Sequence, residues 1–377
     1  MLIDALKRIK TTSDASYRGL SAYIHMDFLL FTLVTLLCFM GLIILFSASN
    51  QQFHVVQMQL MRYGLSFIVM FLVAQIPPST WQRSALSLYF LALTLLIIVL
   101  IIGHIGKGAQ RWLNFGFLRF QPSELMKLAI PLLLASYYQH IHLPINQKSA
   151  LIAIPMVLLP AILIARQPDL STAILLTISG LSVLFLAGLS LRLIGSSIIL
   201  CGMFLPFSWY FLHDYQRQRV LTFFNPERDP LGSGYHIIQS KIAIGSGGLF
   251  GKGWLSGTQS HLHFLPEHST DFIFAVCGEE FGFIGSMILI TLYILITLRG
   301  LYITIHAQDT FSRLVAGSFT LSFFVYFFTN IGMVTGILPV VGIPLPLISY
   351  GGSSMITIMA GFGLLMSIQT HRKLVTT

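Results

Sequence analysis

Long apolar blocks most limit what this 377-residue chain can fold into. From residue 28 onward, blocks of about 20 apolar residues, the length of helix that crosses a bilayer, follow one another with polar breaks between them. Only 9% of the residues are charged and 55% are hydrophobic, and the mean hydropathy of +0.80 far exceeds that of a soluble domain. The sequence therefore predicts an all-α polytopic integral membrane protein.

Ten spanning segments can be marked: 27–47, 55–76, 86–103, 122–140, 150–166, 169–188, 192–212, 272–298, 313–334 and 347–369. The fifth and sixth also fit a re-entrant pair, because Pro155 and Pro160 interrupt the fifth and only a short corner separates the two. We expect a cytoplasmic N-terminal tail over 1–26, a single ten-helix membrane domain over 27–369 and a cytoplasmic C-terminal tail over 370–377.

Basic residues predict the orientation. With the N-terminus inside, eleven Lys and Arg residues fall on the inner side against four in short outer loops, and the stretch 213–271 counts less because long loops cross largely regardless of charge. This stretch is then one long extracytoplasmic loop between helices 7 and 8. The excess of 22 Lys and Arg over 13 Asp and Glu favours contact with membrane lipids. We expect no nucleic-acid partner.

The long loop ends at Thr270 and Asp271, directly before an apolar run. In a structural interpretation, one of them caps the eighth helix and contributes about 1 kcal/mol. In a chemical interpretation, a carboxylate at the water boundary acts as a general base. The two are compatible. Glu279 and Glu280, further along, are expected to face a polar interior and to pair with basic residues.

The fourth segment opens with Gln121, Pro122, Ser123 and Glu124. Pro122 suits a first helical turn, and Glu124 and Lys127 are spaced i,i+3, which lets them pair. A pair inside a membrane is either a functional site or an internal ion pair that fixes helix packing. The sequence leaves both interpretations open.

Basic side chains also occur on the outer side, against the charge bias. Arg111 lies between Lys107 and Arg119 before the fourth segment, and Arg217 and Arg219 lie in the long loop. Guanidinium groups bind phosphate oxygens bidentately. The cluster is suited to an anionic lipid head group, whereas any single member is equally suited to a generic lipid contact.

Three irregular stretches complete the pattern. Asp169 follows Gln167 and Pro168 and is expected to cap the sixth segment, and the stretch 345–354, which includes Ser349, has prolines and paired glycines that break the last segment. Such breaks line a cavity or allow close helix contact. The amphipathic run from Tyr235 predicts a short helix lying on the membrane, followed by tight turns.

Taken in order, these motifs resemble the SEDS family (shape, elongation, division, sporulation). The resemblance covers nearly the whole chain, its long loop is most similar to the elongation members, and it rests on these residues: Arg111-Trp112, Gln121 to Glu124 with Lys127, Gln167-Pro168-Asp169, Leu265-Pro266-Glu267, Thr270-Asp271-Phe272 and 345–353. One departure is Ser269, because family members commonly have His directly before the Thr-Asp pair.

The resemblance implies a peptidoglycan glycosyltransferase of the bacterial cytoplasmic (inner) membrane, which polymerises lipid II at a site facing the periplasm during cell elongation. It implies Asp271 as the essential carboxylate. The chemistry then makes Asp271 the general base and polyprenyl pyrophosphate the leaving group, whose charge is carried by cationic side chains or by a divalent cation, Mg²⁺ or Mn²⁺. No organic cofactor is expected. Substrate-binding or supporting roles fall to Glu124, Lys127, Arg111, Arg217, Arg219, Gln121, Asp169 and Ser349.

The resemblance also implies partners: a class B penicillin-binding protein transpeptidase and other membrane proteins of the elongation complex. Two other functions fit the same architecture, a flippase for lipid-linked precursors and a scaffold that activates a partner synthase. The polar features cluster at the outer interface and not in paired broken helices at the midplane, which argues against the flippase.

Overall fold

The computed structural model describes residues 24–106, 109–114, 119–190, 214–225, 233–261 and 267–371, with a few positions between 195 and 210. Three short antiparallel strands accompany the helices of these ranges. In chain order the elements are α1 (Phe28–Ala48), α2 (Phe53–Gln75), α3 (Pro78–Ile102), β1 (His104–Gly106), β2 (Ala109–Asn114), β3 (Arg119–Phe120), α4 (Pro122–Tyr138), α5 (Gln147–Arg166), α6 (Leu170–Leu186), α7 (Asp214–Phe224), α8 (Ser233–Ser246), α9 (Thr258–His261), α10 (Ile273–Ile305), α11 (Thr310–Val334) and α12 (Ser353–Thr370).

The helices identify a multi-pass membrane protein. Seven of those described, α1, α2, α3, α5, α10, α11 and α12, are long and apolar enough to cross a membrane, and α6 is apolar but shorter. Nine of the ten predicted segments coincide with a described helix. Most of the seventh, 192–212, lies outside the described residues, so the number of ten crossings stays a prediction.

Three boundaries differ by more than three residues from the predicted ones. Helix α3 begins at Pro78 and not at 86, because a proline at the first position presets the helical backbone. Helix α10 continues past 298 to Ile305, because Arg299 turns inward and pairs with Asp27 at 2.5 Å between Nη2 and Oδ2. Helix α12 begins only at Ser353, after the irregular stretch.

Small residues let the helices approach closely. Helix α2 packs against α12, and at Gly363 an added Cβ would lie 2.4 Å from the carbonyl oxygen of Met70. Helix α10 packs against α1 and α11, and α11 packs against α6. Close backbone approach of this kind is typical of helix association in membranes, where lipid is as apolar as the helix surfaces.

Helix α10 is broken at Gly282, whose φ of 65° and ψ of −158° are not helical. The loop after α8 docks at this break: the N–H of Phe283 donates to the carbonyl of Gly248 (2.9 Å), and the N–H of Lys252 donates to the carbonyl of Glu279 (3.0 Å). Backbone groups released by the break are therefore satisfied within the protein, as burial away from water requires.

The stretch 213–271 thus contains much regular structure, with α7, α8 and α9 inside it. The helix predicted from Tyr235 is confirmed as α8, and the predicted turns follow at Gly248, Gly251 and Gly253, all with positive φ. Helix α8 packs against α10 and α11. Its placement on a membrane surface stays a prediction.

Candidate active site

Ser349 ties the irregular stretch before α12 to the turn before α10. Its hydroxyl donates to the carbonyl of Thr270 (2.6 Å) and accepts from the N–H of Leu345 (2.7 Å). The next residue, Tyr350, donates its N–H to the carbonyl of Ser269 (2.9 Å). Two successive carbonyl groups of the turn are therefore held by the C-terminal part of the chain.

Asp271 is the next residue of this turn and is partly buried. Its carbonyl accepts a hydrogen bond of 2.8 Å from Nδ2 of Asn330 in α11, and the same nitrogen lies 2.6 Å from the carbonyl oxygen of Ile343. A Cβ added to Gly342 would lie 3.4 Å from Oδ2 of Asp271. The candidate base therefore lies beside Gly342, on a backbone anchored to α11.

The interpretation of Thr270 or Asp271 as a helix cap is wrong. Helix α10 has Phe272 at its N-cap position, without a side-chain capping bond. The hydroxyl of Thr270 bonds instead to the carboxylate of Glu267 at 2.6 Å. The N-cap position of α10 therefore does not account for the carboxylate of Asp271.

Asp169 both caps a helix and forms an ion pair. Its Oδ1 accepts from the N–H of Thr172 (3.2 Å), which confirms the predicted cap of α6, and its Oδ2 lies 3.0 Å from Nη1 of Arg111 on β2. The carboxylate is buried. The pair fixes one guanidinium group where the hairpin meets α6.

The predicted pair of Glu124 and Lys127 is present, with 2.7 Å between Oε1 and Nζ. Pro122 occupies the first turn of α4, and the buried Gln121 at the N-cap position accepts the N–H of Glu124 with its backbone carbonyl at 3.0 Å. Nζ of Lys127 lies 4.9 Å from the ring centre of Tyr326 in α11. The cation is thus held between a carboxylate and an aromatic face.

The two arginines of α7 are directed to different places. Nη1 of Arg219 lies 3.3 Å from the carbonyl oxygen of Val341, which also accepts from Oγ of Ser171 (2.7 Å). Nη2 of Arg217 donates instead to the carbonyl of Tyr210 (3.0 Å). Arg219 therefore contacts the segment that contains Gly342, whereas the contact described for Arg217 is with Tyr210.

The expected basic partner is present for Glu279, whereas the contact described for Glu280 is with a hydroxyl group. Oε1 of Glu279 lies 2.7 Å from Nζ of Lys252 and accepts the backbone N–H groups of Thr258 (2.8 Å) and Gln259 (3.0 Å), while Glu280 accepts from Oγ of Ser47. Both carboxylates are buried. The contacts of Glu279 anchor the segment after α8 to α10, and the contact of Glu280 joins α1 to α10.

Segment 341–343 and helix α11 connect the site residues. Val341 accepts from Arg219, Gly342 lies beside the carboxylate of Asp271, and Ile343 is bound by Asn330. Tyr326 and Asn330 are spaced i,i+4 and so share one face of α11. The arrangement joins a carboxylate that can take up a proton to cations that can hold a negatively charged group.

A family model described as cell cycle protein, covering FtsW, RodA and SpoVE, matches residues 27–374. This chain belongs to the SEDS family. The SEDS protein is 54% identical over 355 residues to the peptidoglycan glycosyltransferase MrdB of Escherichia coli K12, covering 94% of this chain and 96% of the relative. It is 33% identical over 433 residues to the peptidoglycan glycosyltransferase RodA of Treponema pallidum, covering 94% and 99%.

Solved structures agree with the SEDS assignment. A chain of a peptidoglycan synthase complex, described as coordinating polymerization and crosslinking, superposes with a TM-score of 0.82 at 33% identity, covering 93% of this chain and 99% of that one. The rod shape determining protein RodA of Thermus thermophilus superposes with a TM-score of 0.70 at 28% identity, covering 92% and 98%. The predicted family and its RodA-type branch are confirmed.

Several residues that shape the site of this SEDS protein were not predicted from the sequence. Asn330 and Ser171 bind the turn and the segment described above, and Tyr293 donates to the carbonyl of Pro346 (2.5 Å) within the irregular stretch. The hydroxyl of Tyr63 in α2 donates to the carbonyl of Leu347. A signal existed for Asn330, because an amide within an apolar span needs partners.

Proposed function

We propose that this SEDS protein is a peptidoglycan glycosyltransferase that polymerises lipid II into glycan strands during cell elongation, with Asp271 as the general base. The observation that carries the proposal is the turn of Asp271: three successive carbonyl groups are held, and the carboxylate lies beside Gly342. Fixed geometry is what a base needs in order to take a proton in the transition state.

In the proposed reaction, Asp271 removes the proton of the acceptor sugar hydroxyl while that oxygen attacks the anomeric carbon of the donor. The bond between this carbon and the pyrophosphate breaks, and polyprenyl pyrophosphate leaves with the bonding electrons. One base and a good leaving group favour a single displacement with inversion over a covalent intermediate.

Cationic side chains are proposed to stabilise the leaving pyrophosphate. Arg111, Lys127 and Arg219 are the candidates, and the first two are held in place by their carboxylate partners, Asp169 and Glu124. Positioned cations stabilise charge that develops in the transition state. The guanidinium group of Arg217 has five N–H donors, so its bond to the carbonyl of Tyr210 is compatible with the proposed substrate contact.

A divalent cation remains a proposal. Among the described residues, no group of three or more His, Cys, Asp or Glu side chains is placed to hold a metal ion. In this proposal, Asp271 and the pyrophosphate of the substrate provide ligands for the ion. Mg²⁺ or Mn²⁺ there would neutralise charge on the leaving group.

We further propose ten crossings, cytoplasmic termini and a site facing the periplasm, supported by the distribution of basic residues. A class B penicillin-binding protein is the proposed partner, because one similar structure comes from a complex that coordinates polymerization and crosslinking. Other membrane proteins of the elongation complex belong to the same proposal.

The deciding experiment is polymerisation of purified lipid II by the purified protein, comparing the wild type with Asp271→Asn. We expect a loss of roughly 10²- to 10⁴-fold, the usual contribution of a general base. Asp309→Asn is the matched control: Asp309 caps α11 by accepting the N–H of Ser312 (2.8 Å), and Asn caps helices equally well.

Two results would contradict the proposal. Glycan formation by Asp271→Asn at the wild-type rate would show that Asp271 is not the general base. A wild type that moves lipid II across vesicles without joining it would favour the flippase.

A further inference from the structure

Asn330 is a fully buried amide near the C-terminal end of the apolar helix α11, with 0% of its surface exposed. Its Nδ2 lies 2.8 Å from the carbonyl oxygen of Asp271 and 2.6 Å from that of Ile343. The two amide hydrogens thus join two segments that are distant in sequence. One contains the candidate base, and the other contains Gly342 beside the carboxylate of that base.

The other side of the amide supports this orientation. Within the described part of the chain, Oδ1 of Asn330 is buried and has no hydrogen-bond partner. Rotating the amide by 180° would place Oδ1 against two carbonyl oxygens and lose both bonds, so the NH₂ group faces Asp271 and Ile343. The two hydrogen bonds that the NH₂ group donates thus fix the orientation of the Asn330 side chain.

The fold around Asn330 has other supports. The carbonyls of Ser269 and Thr270 are held independently by Tyr350 and Ser349. Loss of the Asn330 amide would leave the turn attached and would free the last of its three carbonyls, that of Asp271, together with the carbonyl of Ile343. The expected effect is a change in where the carboxylate points, with the helices in place.

We propose that Asn330 is a positioning residue for Asp271, and that its amide sets the distance between the base and segment 341–343. The same segment accepts Arg219 and Ser171 at the carbonyl of Val341. Asn330 thereby aligns the base with a candidate cation for the leaving group. The inference rests on the proposed function of Asp271.

The test replaces Asn330 by Leu, which has similar volume and no donor, and by Ser, which keeps one hydroxyl donor. Polymerisation of lipid II by the full-length protein gives kcat and KM, and thermal unfolding gives stability. Ser318→Ala is the matched control, because Ser318 lies in the same helix, is fully buried and bonds to the carbonyl of Ser179 (2.9 Å) away from Asp271.

For Asn330→Leu we expect kcat to fall roughly ten- to hundredfold, the cost of a misplacement of about 1 Å, with KM for lipid II within about twofold. Asn330→Ser is expected to fall between Leu and the wild type. A fall in kcat with KM unchanged would support the proposal. A purely structural change would instead lower the fraction of folded protein, so that the loss of activity follows the loss of thermal stability.

Several results would overturn it. One is an unchanged kcat in Asn330→Leu, and another is a loss in both variants that only follows thermal stability, as in Ser318→Ala. If Asn330→Leu does not fold, a wild-type kcat in Asn330→Ser with one donor removed counts against the proposal. Wild-type turnover by Asp271→Asn would instead refute the proposed function itself.

Discussion

Several buried carboxylates in this protein are held by opposite charges. Asp27 pairs with Arg299 through two guanidinium nitrogens, Glu124 lies 2.7 Å from Lys127, and Asp169 lies 3.0 Å from Arg111. A charge taken out of water costs several kcal/mol unless a partner offsets it. At the scale of the residue, removing one partner therefore costs more than removing both.

Lys127→Met should separate the stability of this pair from its use in the reaction. The single change leaves Glu124 buried without its cation, which should destabilise the fold by about 3–5 kcal/mol. The double variant Glu124→Gln with Lys127→Met should recover most of this stability but not the lipid II turnover. Unfolding midpoints and polymerisation rates measure the two effects.

Wild-type turnover and stability in Lys127→Met would reduce the pair to an incidental feature. Recovered turnover in the double variant would show that the pair of Glu124 and Lys127 serves helix packing alone.

At the scale of the element, the backbone of α10 depends on hydrogen bonds with another segment of the chain. Its break at Gly282 is completed by the loop 247–253, which approaches so closely that a Cβ on Gly251 would lie 2.1 Å from the carbonyl oxygen of Glu280. Gly251 also has a φ of +80°, which favours glycine. The loop and the broken helix therefore form one unit, about three helical turns beyond Asp271.

Gly251→Ala should undo this unit and lower stability by about 1–3 kcal/mol, through backbone strain and displacement from α10. Gly245→Ala is the matched control in α8, where an added Cβ meets nothing within 4 Å; it should stabilise the helix by about 0.5–1 kcal/mol. Thermal unfolding followed by tryptophan fluorescence measures both. Equal midpoints for the two variants would refute the close contact.

At the scale of the whole molecule, side chains join the two ends of the described chain. His25 stacks on His371 with ring centres 3.9 Å apart, and Nδ1 of His371 lies 3.1 Å from the carbonyl oxygen of Ser367. Burial lowers the pKa of His371, and the neighbouring His25 lowers it further, whereas the bond to Ser367 opposes the shift. The folded protein thus favours the neutral ring.

This shift predicts that acid destabilises the fold. Between the lowered pKa of the folded state and the value of about 6.5 in the unfolded chain, the unfolded state holds more protons, so stability falls as the pH falls through this window. His371→Asn should flatten the dependence of the unfolding midpoint on pH between about 7.5 and 5.5, while His54→Asn, at an exposed position, should not. A dependence unchanged in His371→Asn would contradict the assignment.

Local sequence predicted several parts of the site directly. The i,i+3 spacing of Glu124 and Lys127 predicted their contact, and Asp169 before an apolar run predicted the cap of α6, because both interactions lie within one helical turn. The same local reasoning gave a wrong cap at Thr270 and Asp271. Contacts from Ser349 and Asn330, 79 and 59 residues away, determine that turn.

The sequence alone determined that this chain is a helical membrane protein and where nearly all its described helices lie. The length of an apolar segment is a local property of the chain, and it decides whether that segment can span the bilayer. It also identified the SEDS motifs. The tertiary structure decided which motifs meet: it placed Asp271 beside Gly342, directed Arg219 to Val341 and Arg217 to Tyr210, and brought Asn330 beneath the base. Those contacts depend on how helices pack and on which buried backbone groups still need a donor, and neither is a local property of the chain.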